Sequence, residues 1–208
     1  MRSLFRSALL LAPVLSLGIA SSALASDCAA ADGNLVTNCG FETGDFTGWT
    51  VTDPSNNTYV DSHNPNSGTY AANLGGTPGT LSQTITDTAG QMYNFTFYMQ
   101  NEIAVDQNGI PYPGPDTFSV AVVDTNSNTD ILMSPISIPQ TADYSLYSLA
   151  FLGTGSDTIQ FNVNNVPSYY DLDNVVIQEQ TPEPSSLALM GTGALVFAEF
   201  TRRRMKQL

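Results

Sequence analysis

Almost every residue between Ser26 and Thr181 that could do charged chemistry is an acid. All 19 Asp and Glu residues except Glu183 and Glu199 lie in that stretch, and no Lys or Arg does. With His63 neutral its formal charge is −17. The basic residues Arg2, Arg6, Arg202, Arg203, Arg204 and Lys206 stand at the two ends. A nucleic-acid partner is thereby excluded, because tracking phosphates needs clustered Lys and Arg. Arginine clamps and Schiff-base lysines are excluded from the body as well. What remains is carboxylate chemistry: holding a divalent cation, or paired acid–base work on a glycosidic bond. With so many acids, pairs arise by chance, and none is singled out.

Other catalytic constellations find little material. His63 is the sole histidine and sits in the polar run Asp61-Ser62-His63-Asn64-Pro65. A Ser-His-Asp site would need a serine brought to it through space, and no G-x-S-x-G elbow is present. Zinc chemistry lacks its histidines. No catalytic residue is assigned, and the chain reads as a non-enzyme. Asp124-Thr125-Asn126-Ser127-Asn128-Thr129-Asp130 spaces oxygens as a calcium loop does. An EF-hand would place Gly at the sixth position and Glu at the twelfth; Thr129 and Pro135 stand there, so a hairpin loop is the plainer reading. Aromatic faces could stack on sugar rings. Tyr112 falls in the loop-like Asn108–Pro115, Tyr169 and Tyr170 open the last strand, and Trp49 reads as core. No ligand-binding residue is assigned from these.

The elements that must position such groups are short strands. Phe95, Phe97 and Met99 alternate with Thr96, Tyr98 and Gln100. Phe118, Val120 and Val122 alternate with Ser119, Ala121 and Val123. Ile159, Phe161 and Val163 alternate with Gln160 and Asn162. This period of two marks half-buried strands. Further strands are expected at Trp49–Thr52, Gly68–Leu74, Thr80–Ile85, Ile131–Ile138, Tyr144–Leu152 and Tyr169–Gln178. Turn residues recur every eight to twelve positions, and no helical stripe or repeat is evident. The pattern predicts an all-β sandwich of about nine or ten strands over residues 26–180.

The ends carry targeting signals. Arg2 and Arg6, the apolar Ala8–Ala20 and the small-x-small Ala23-Leu24-Ala25 form a secretory signal, residues 1–25, with cleavage expected between Ala25 and Ser26. At the other end Thr181-Pro182-Glu183-Pro184 precedes the apolar Ser185–Phe200 and the basic Arg202-Arg203-Arg204-Met205-Lys206. Sixteen residues make a helix of about 24 Å, short for a hydrocarbon core of about 30 Å. The basic cluster keeps its end cytoplasmic and leaves the body outside. Residues 181–208 resemble the PEP-CTERM sorting signal of Gram-negative bacteria through Pro182, Glu183, Pro184 and the closing Arg202, Arg203 and Arg204. The resemblance implies an exosortase as processing partner, a transient inner-membrane anchor through the C-terminal helix, and delivery to the cell surface or extracellular matrix. Glu199 and the tail Met205–Leu208 depart mildly from the common pattern. In an exported protein the only two cysteines, Cys28 and Cys39, are expected to form a disulfide. Closing a loop of this size contributes about 2.5–3 kcal/mol in the chain-entropy model.

A second resemblance runs through the body. Asn34-Leu35-Val36-Thr37-Asn38-Cys39-Gly40-Phe41-Glu42, followed by Gly48-Trp49, is similar to the opening of galactose-binding-like jelly rolls. Asn66-Ser67-Gly68-Thr69-Tyr70-Ala71-Ala72 resembles their middle strand. Tyr170-Asp171-Leu172-Asp173-Asn174-Val175 resembles their closing strand. Cys39 and Asn174 stand where Gly and Asp are usual. The resemblance implies a jelly-roll β-sandwich like that of carbohydrate-binding modules, and a structural Ca²⁺ tying first strand to last. Its side-chain ligands would be Glu42 and Asp173, with main-chain oxygens from Asn38 or Gly40 and from Gly68 or Tyr70. Two carboxylates brought together repel unless a cation or proton joins them, and the body has no Lys or Arg to serve.

The leading expectation is an exported, non-catalytic surface or matrix protein that contacts carbohydrate, such as exopolysaccharide or a cell-surface glycan. The alternatives are a Ca²⁺-dependent adhesion or structural protein without a sugar pocket, and, least of all, a secreted enzyme.

Overall fold

The computed structural model describes residues 28–112 and 116–180. The signal residues Ala23, Ala25 and Ser26, the sorting residues Pro182, Glu183, Pro184, Arg202, Arg203 and Arg204, and both expected terminal helices lie outside them. Among the described residues no helix is long and apolar enough to cross a membrane.

Among the described residues a 3-10 turn at Cys28–Ala30 precedes eight strands: β1 Thr50–Thr52, β2 Tyr59–Asp61, β3 Ala71–Ile85, β4 Met92–Asn101, β5 Thr117–Asp124, β6 Thr129–Ile136, β7 Ser145–Leu152 and β8 Asp157–Glu179. All pairings are antiparallel. Two long strands serve both layers. The second half of β3 (Gly79–Ile85) and the first half of β8 (Asp157–Val163) pair with each other, with β1 outside β3 and with β5 then β6 outside β8. The first half of β3 (Ala72–Leu74) and the second half of β8 (from Tyr170) pair likewise, with β2 on one side and β4 then β7 on the other. The result is a two-sheet sandwich of five strands per sheet: β1-β3-β8-β5-β6, the first sheet, and β2-β3-β8-β4-β7, the second.

The corner between the sheets is set by sequence. Register shifts fall between Leu74 and Gly76 and between Gly76 and Gly79 of β3, opposite Asn165–Tyr170 of β8. Pro78 and Pro167 lie there, where the ladder is broken and a missing N–H costs nothing. Pro135 stands in β6, an edge strand that pairs only with β5, which is where a strand proline is tolerated.

The three alternating segments supply the core. Phe95, Phe97, Met99, Val120, Val122, Ile159 and Phe161 are all fully buried, and Phe118 and Val163 nearly so. Trp49 joins them, packed against Phe41 and Phe161. The expected strands Gly68–Leu74 and Thr80–Ile85 run on as one, as do Ile159–Val163 and Tyr169–Gln178. β2, not among the expected strands, adds an edge. Cys28 and Cys39 are joined by a disulfide with Cα atoms 5.9 Å apart, beside the N-terminal segment where Leu35 N–H donates to Ile177 O and Val175 N–H to Cys39 O. Among the described residues, the eight strands, the disulfide and the core cluster lie between Cys28 and Gln180.

Candidate functional site

The residues expected around a calcium ion converge in part. Asp173 on β8 is fully buried, and its neighbour Asn174 takes a positive φ of 51° at a bulge against β4. Asp173 Oδ2 accepts from Ser67 N–H at 3.0 Å and Oδ1 from Asn174 N–H at 2.7 Å. Glu42 is exposed; it accepts from Thr69 N–H at 3.0 Å and from Tyr70 N–H at 3.2 Å. Gly40 backs onto Asp173, since a Cβ there would stand 3.4 Å from Oδ1. Burial, opposed by hydrogen bonds and aided by the negative charge of Glu42, pushes the Asp173 carboxyl up to about 7. Asn38 stands apart: its carbonyl already accepts from Phe41 N–H and from Trp49 Nε1. Glu42, Gly40, Gly68, Tyr70 and Asp173 are thus brought together. Among the described residues no three acid, histidine or cysteine side chains converge as a metal cage. Calcium accepts main-chain carbonyls beside carboxylates, so the residues fit that ion only with carbonyls supplying most of the shell.

The outer face of the second sheet is polar yet covered. Asn73, Asp171 and Gln100 are neighbours in register on β3, β8 and β4, and all three are buried. A loop lies over them: Asn64 Nδ2 donates to Gln100 Oε1 at 2.7 Å and to Asp171 Oδ2 at 3.2 Å, and Tyr144 O–H donates to Asn64 O at 2.7 Å. Burial, with Glu102 and Asp61 nearby, raises the Asp171 carboxyl to about 7. Tyr59 and Tyr169 form an edge-to-face pair with centroids 5.5 Å apart. His63 is an exposed loop residue whose charge acts on Glu102.

The outer face of the first sheet is different in kind. Thr52, Thr80, Asn162, Ser119 and Pro135 form one cross-strand row, and Thr50, Ser82, Gln160, Ala121 and Met133 the next. Hydroxyls and amides are bonded along the rows: Thr80 Oγ1 donates to Asn162 Oδ1 at 3.1 Å, and Asn162 Nδ2 reaches Ser119 Oγ at 3.5 Å. A groove of about 430 Å³ runs beside them, walled by Pro78, Thr117, Met133, Pro135 and Asn164, and no ionisable residue lines it. In a body of −17 that neutrality is local and specific. Two larger hollows, about 650 and 730 Å³, lie along the N-terminal segment. They are lined largely by loop residues and contain Asp32, Glu42, Asp87 and Glu179, without a repeating array of donors.

Asp124–Asp130 is the hairpin loop expected between β5 and β6, with Asp124 accepting from Asn126 N–H and Ser127 Oγ. Nearby, Asp157 is fully buried and accepts from Thr154. Burial and a hydrogen bond with Asp157 push the Asp87 carboxyl up to about 6.

A family profile described as carbohydrate binding domain matches residues 33–165. The chain belongs to this family of carbohydrate-binding domains. A second profile, the PEP-CTERM protein-sorting motif, matches residues 180–204; the two together mark an exported protein. The carbohydrate-binding domain is similar in fold to the TmCBM61 module solved with β-1,4-galactotriose: TM-score 0.56 at 20% identity, over 71% of this chain and 99% of that one. It is likewise similar to the CBM22-1 xylan-binding domain of Paenibacillus barcinonensis Xyn10C, with TM-score 0.53 at 14% identity, over 74% and 99%. The enzymatically active domain of tailspike protein 4 from bacteriophage CBA120 gives TM-score 0.53 at 17% identity, but only 21% of that chain is covered. No curated protein matches the chain. Sequence reasoning did not find the neutral face. Its outward residues have the look of any solvent-facing strand positions, and only pairing across five strands reveals them as one surface.

Proposed function

We propose that this domain is a non-catalytic module that binds a neutral glycan chain along the outer face of the first sheet, at the surface or in the extracellular matrix of the producing cell. The observation that carries the reading is the uncharged lattice of Thr, Ser, Asn and Gln side chains beside a groove free of ionisable groups. Hydroxyls of a sugar chain are matched by such donors and acceptors. The family membership supports the glycan class, and so does the likeness in fold to a module solved with β-1,4-galactotriose and to a xylan-binding domain. No aromatic ring other than the buried Phe118 lines the groove, so hydrogen bonds must contribute most of the affinity.

The test is affinity electrophoresis of residues 26–180 through β-1,4-galactan, xylan and a mixed β-glucan. Retardation by at least one is expected. Asn162→Ala should weaken it about 5–10-fold, as losing a net hydrogen bond of about 1–1.5 kcal/mol requires. No retardation by any neutral polysaccharide, or an Asn162→Ala variant that binds as wild type, would overturn the placement.

A structural calcium is proposed beside this function rather than within it. Glu42 and Asp173 would hold the ion with the carbonyls of Gly40 and Gly68, and its charge would offset two acids in a body without Lys or Arg. Calcium at about 100 times its Kd adds about 2.7 kcal/mol to stability, so a chelator should lower Tm by several degrees. An unchanged Tm would remove calcium from the account. We further propose that an exosortase processes the chain near Pro182-Glu183-Pro184, after transient anchoring by Ser185–Phe200.

A further inference from the structure

We propose that β7 is an interface between two copies of this chain, paired antiparallel and edge to edge. Ser145–Leu152 closes the second sheet and, among the described residues, pairs with β4 alone. Alternate backbone N–H and C=O groups along its other side are therefore open, a template for a further strand. The other edges of the sandwich are guarded. β1 and β2 are three residues each. β6 carries Asp130 and Pro135 and faces a register shift between Val122 and Val123. β7 has none of these devices: its eight residues, Ser-Leu-Tyr-Ser-Leu-Ala-Phe-Leu, include no charge, proline or glycine. It is also firmly seated, since Tyr147 stacks on Phe97 with centroids 5.5 Å apart and Phe151 on Tyr93 at 5.6 Å.

The residues of β7 select a second copy as the partner. From Leu146 to Leu152 the order is Leu, aromatic, small, Leu, small, aromatic, Leu, and it reads the same in either direction. Antiparallel pairing about Leu149 therefore sets Leu146 against Leu152 of the second copy, Tyr147 against Phe151, Ser148 against Ala150 and Leu149 against itself. Such self-complementarity is what a two-fold, isologous contact requires, and matched aromatic and aliphatic cross-strand pairs are what stabilise a sheet. Charge points the same way. A body of −17 repels its own copy, so two copies meet best where neither carries acids. The residues beside the outward side chains of β7, namely Met92, Asn94, Thr96 and Tyr98 on β4, are uncharged as well. Leu146 and Leu152 are exposed large apolar side chains, 57% and 48% accessible, and the pairing covers both. The two-fold axis of an antiparallel pair stands perpendicular to the sheet, so both first sheets lie on one side and both neutral faces look the same way. A glycan bound there would be held twice; that consequence rests on the glycan reading, and the pairing does not.

The experiment oxidises the full exported chain in isolated cell envelopes, with two differently tagged copies expressed together and cross-links read on a non-reducing gel. Facing residues of such a pair lie within disulfide reach, whereas positions out of register do not. Leu149→Cys should therefore cross-link by itself. Ser148→Cys or Ala150→Cys alone should cross-link several-fold less than the two together, one on each copy. Ser148 and Ala150 are exposed and Leu149 is half-buried, so a failure of Leu149→Cys to fold leaves the two-position arm standing. Ala150→Lys on both copies should cut the Leu149→Cys cross-link several-fold, since an edge lysine blocks pairing. Raised salt should strengthen the cross-link, because it screens the repulsion between the two acidic bodies. No cross-link overturns the proposal, and so does an equal yield at every position, which would mark chance collision. Stronger trapping with Ala150→Lys overturns it too, because diffuse charge rather than strand pairing would then govern the contact. A cross-link made only to a different protein gives the edge to another partner and removes the second copy.

Discussion

Gly68 takes a φ of +67° directly over the Glu42 carboxylate, and a Cβ there would meet Oε1 at 2.2 Å. The positive φ strains any larger residue there, and the Glu42 carboxylate would have to give way and lose its bonds to Thr69 and Tyr70 N–H. Gly68→Ala should cost about 1–3 kcal/mol, or roughly 3–10 °C in Tm for a domain of this size, read by calorimetry; a change under a degree would show that the Glu42 contact is slack. A second residue-scale prediction concerns pH. Asp87 is raised to about 6 by burial and by its hydrogen bond with Asp157, against an unfolded value of about 3.9. Between those values the folded state binds more protons than the unfolded one, so stability falls as pH rises through that window and the loss is complete above it. Asp87→Asn keeps an oxygen for Gly155 N–H and removes the charge. It should raise Tm by a few degrees at pH well above 6, with little effect near pH 4; the opposite pattern would mean that Asp87 is stabilising as an anion.

At the scale of elements, the disulfide fixes the 3-10 turn and the N-terminal segment against β8. Replacing Cys28 and Cys39 by serine should remove about 2.5–3 kcal/mol and lower Tm by roughly 5–12 °C, while circular dichroism stays that of a β protein. An unchanged Tm would mean that the packing of Leu35, Val36 and Phe41 holds the segment unaided. Which elements could be read from sequence follows from where the side chains point. β4, β5 and the first half of β8 alternate cleanly because one face meets the core. The bent strands could not be read as single elements, since Gly75-Gly76-Thr77-Pro78-Gly79 carries the signature of a turn and becomes one only in the sense of a corner. β2 was hidden because Tyr59 and Asp61 point outward and Val60 alone packs inward. That Glu42 lies near enough to Asp173 for its charge to act on it follows the resemblance of the opening and closing segments, not any spacing in the sequence. The Asp171 cluster was not, because it is assembled from β2, β3, β4, β8 and the loop at Asn64, and only the register brings them together.

At the scale of the whole molecule, the proposed neutral face and Gln180, where the match to the sorting motif begins, lie well apart along β8. β8 leaves the corner at Tyr170, beside Asn101, and runs back along β4 until Glu179 meets Tyr93. Gln180 N–H still donates to Met92 O, and the match to the sorting motif begins at that residue. Ten strand residues span about 33 Å. The groove between Thr117 and Asn164 and the Asp171 cluster both sit toward the corner. A chain held by its C-terminal segment would therefore be expected to present the proposed neutral face before any cleavage. Replacing Pro182, Glu183 and Pro184 by alanine, in a host with an exosortase, should leave the protein unprocessed in the membrane fraction. The trapped form should bind soluble glycan from outside as well as the released form does. Identical fractionation of variant and wild type would sink the processing step. A trapped protein that cannot bind until released would instead show that the membrane covers the corner end, contrary to the course of β8.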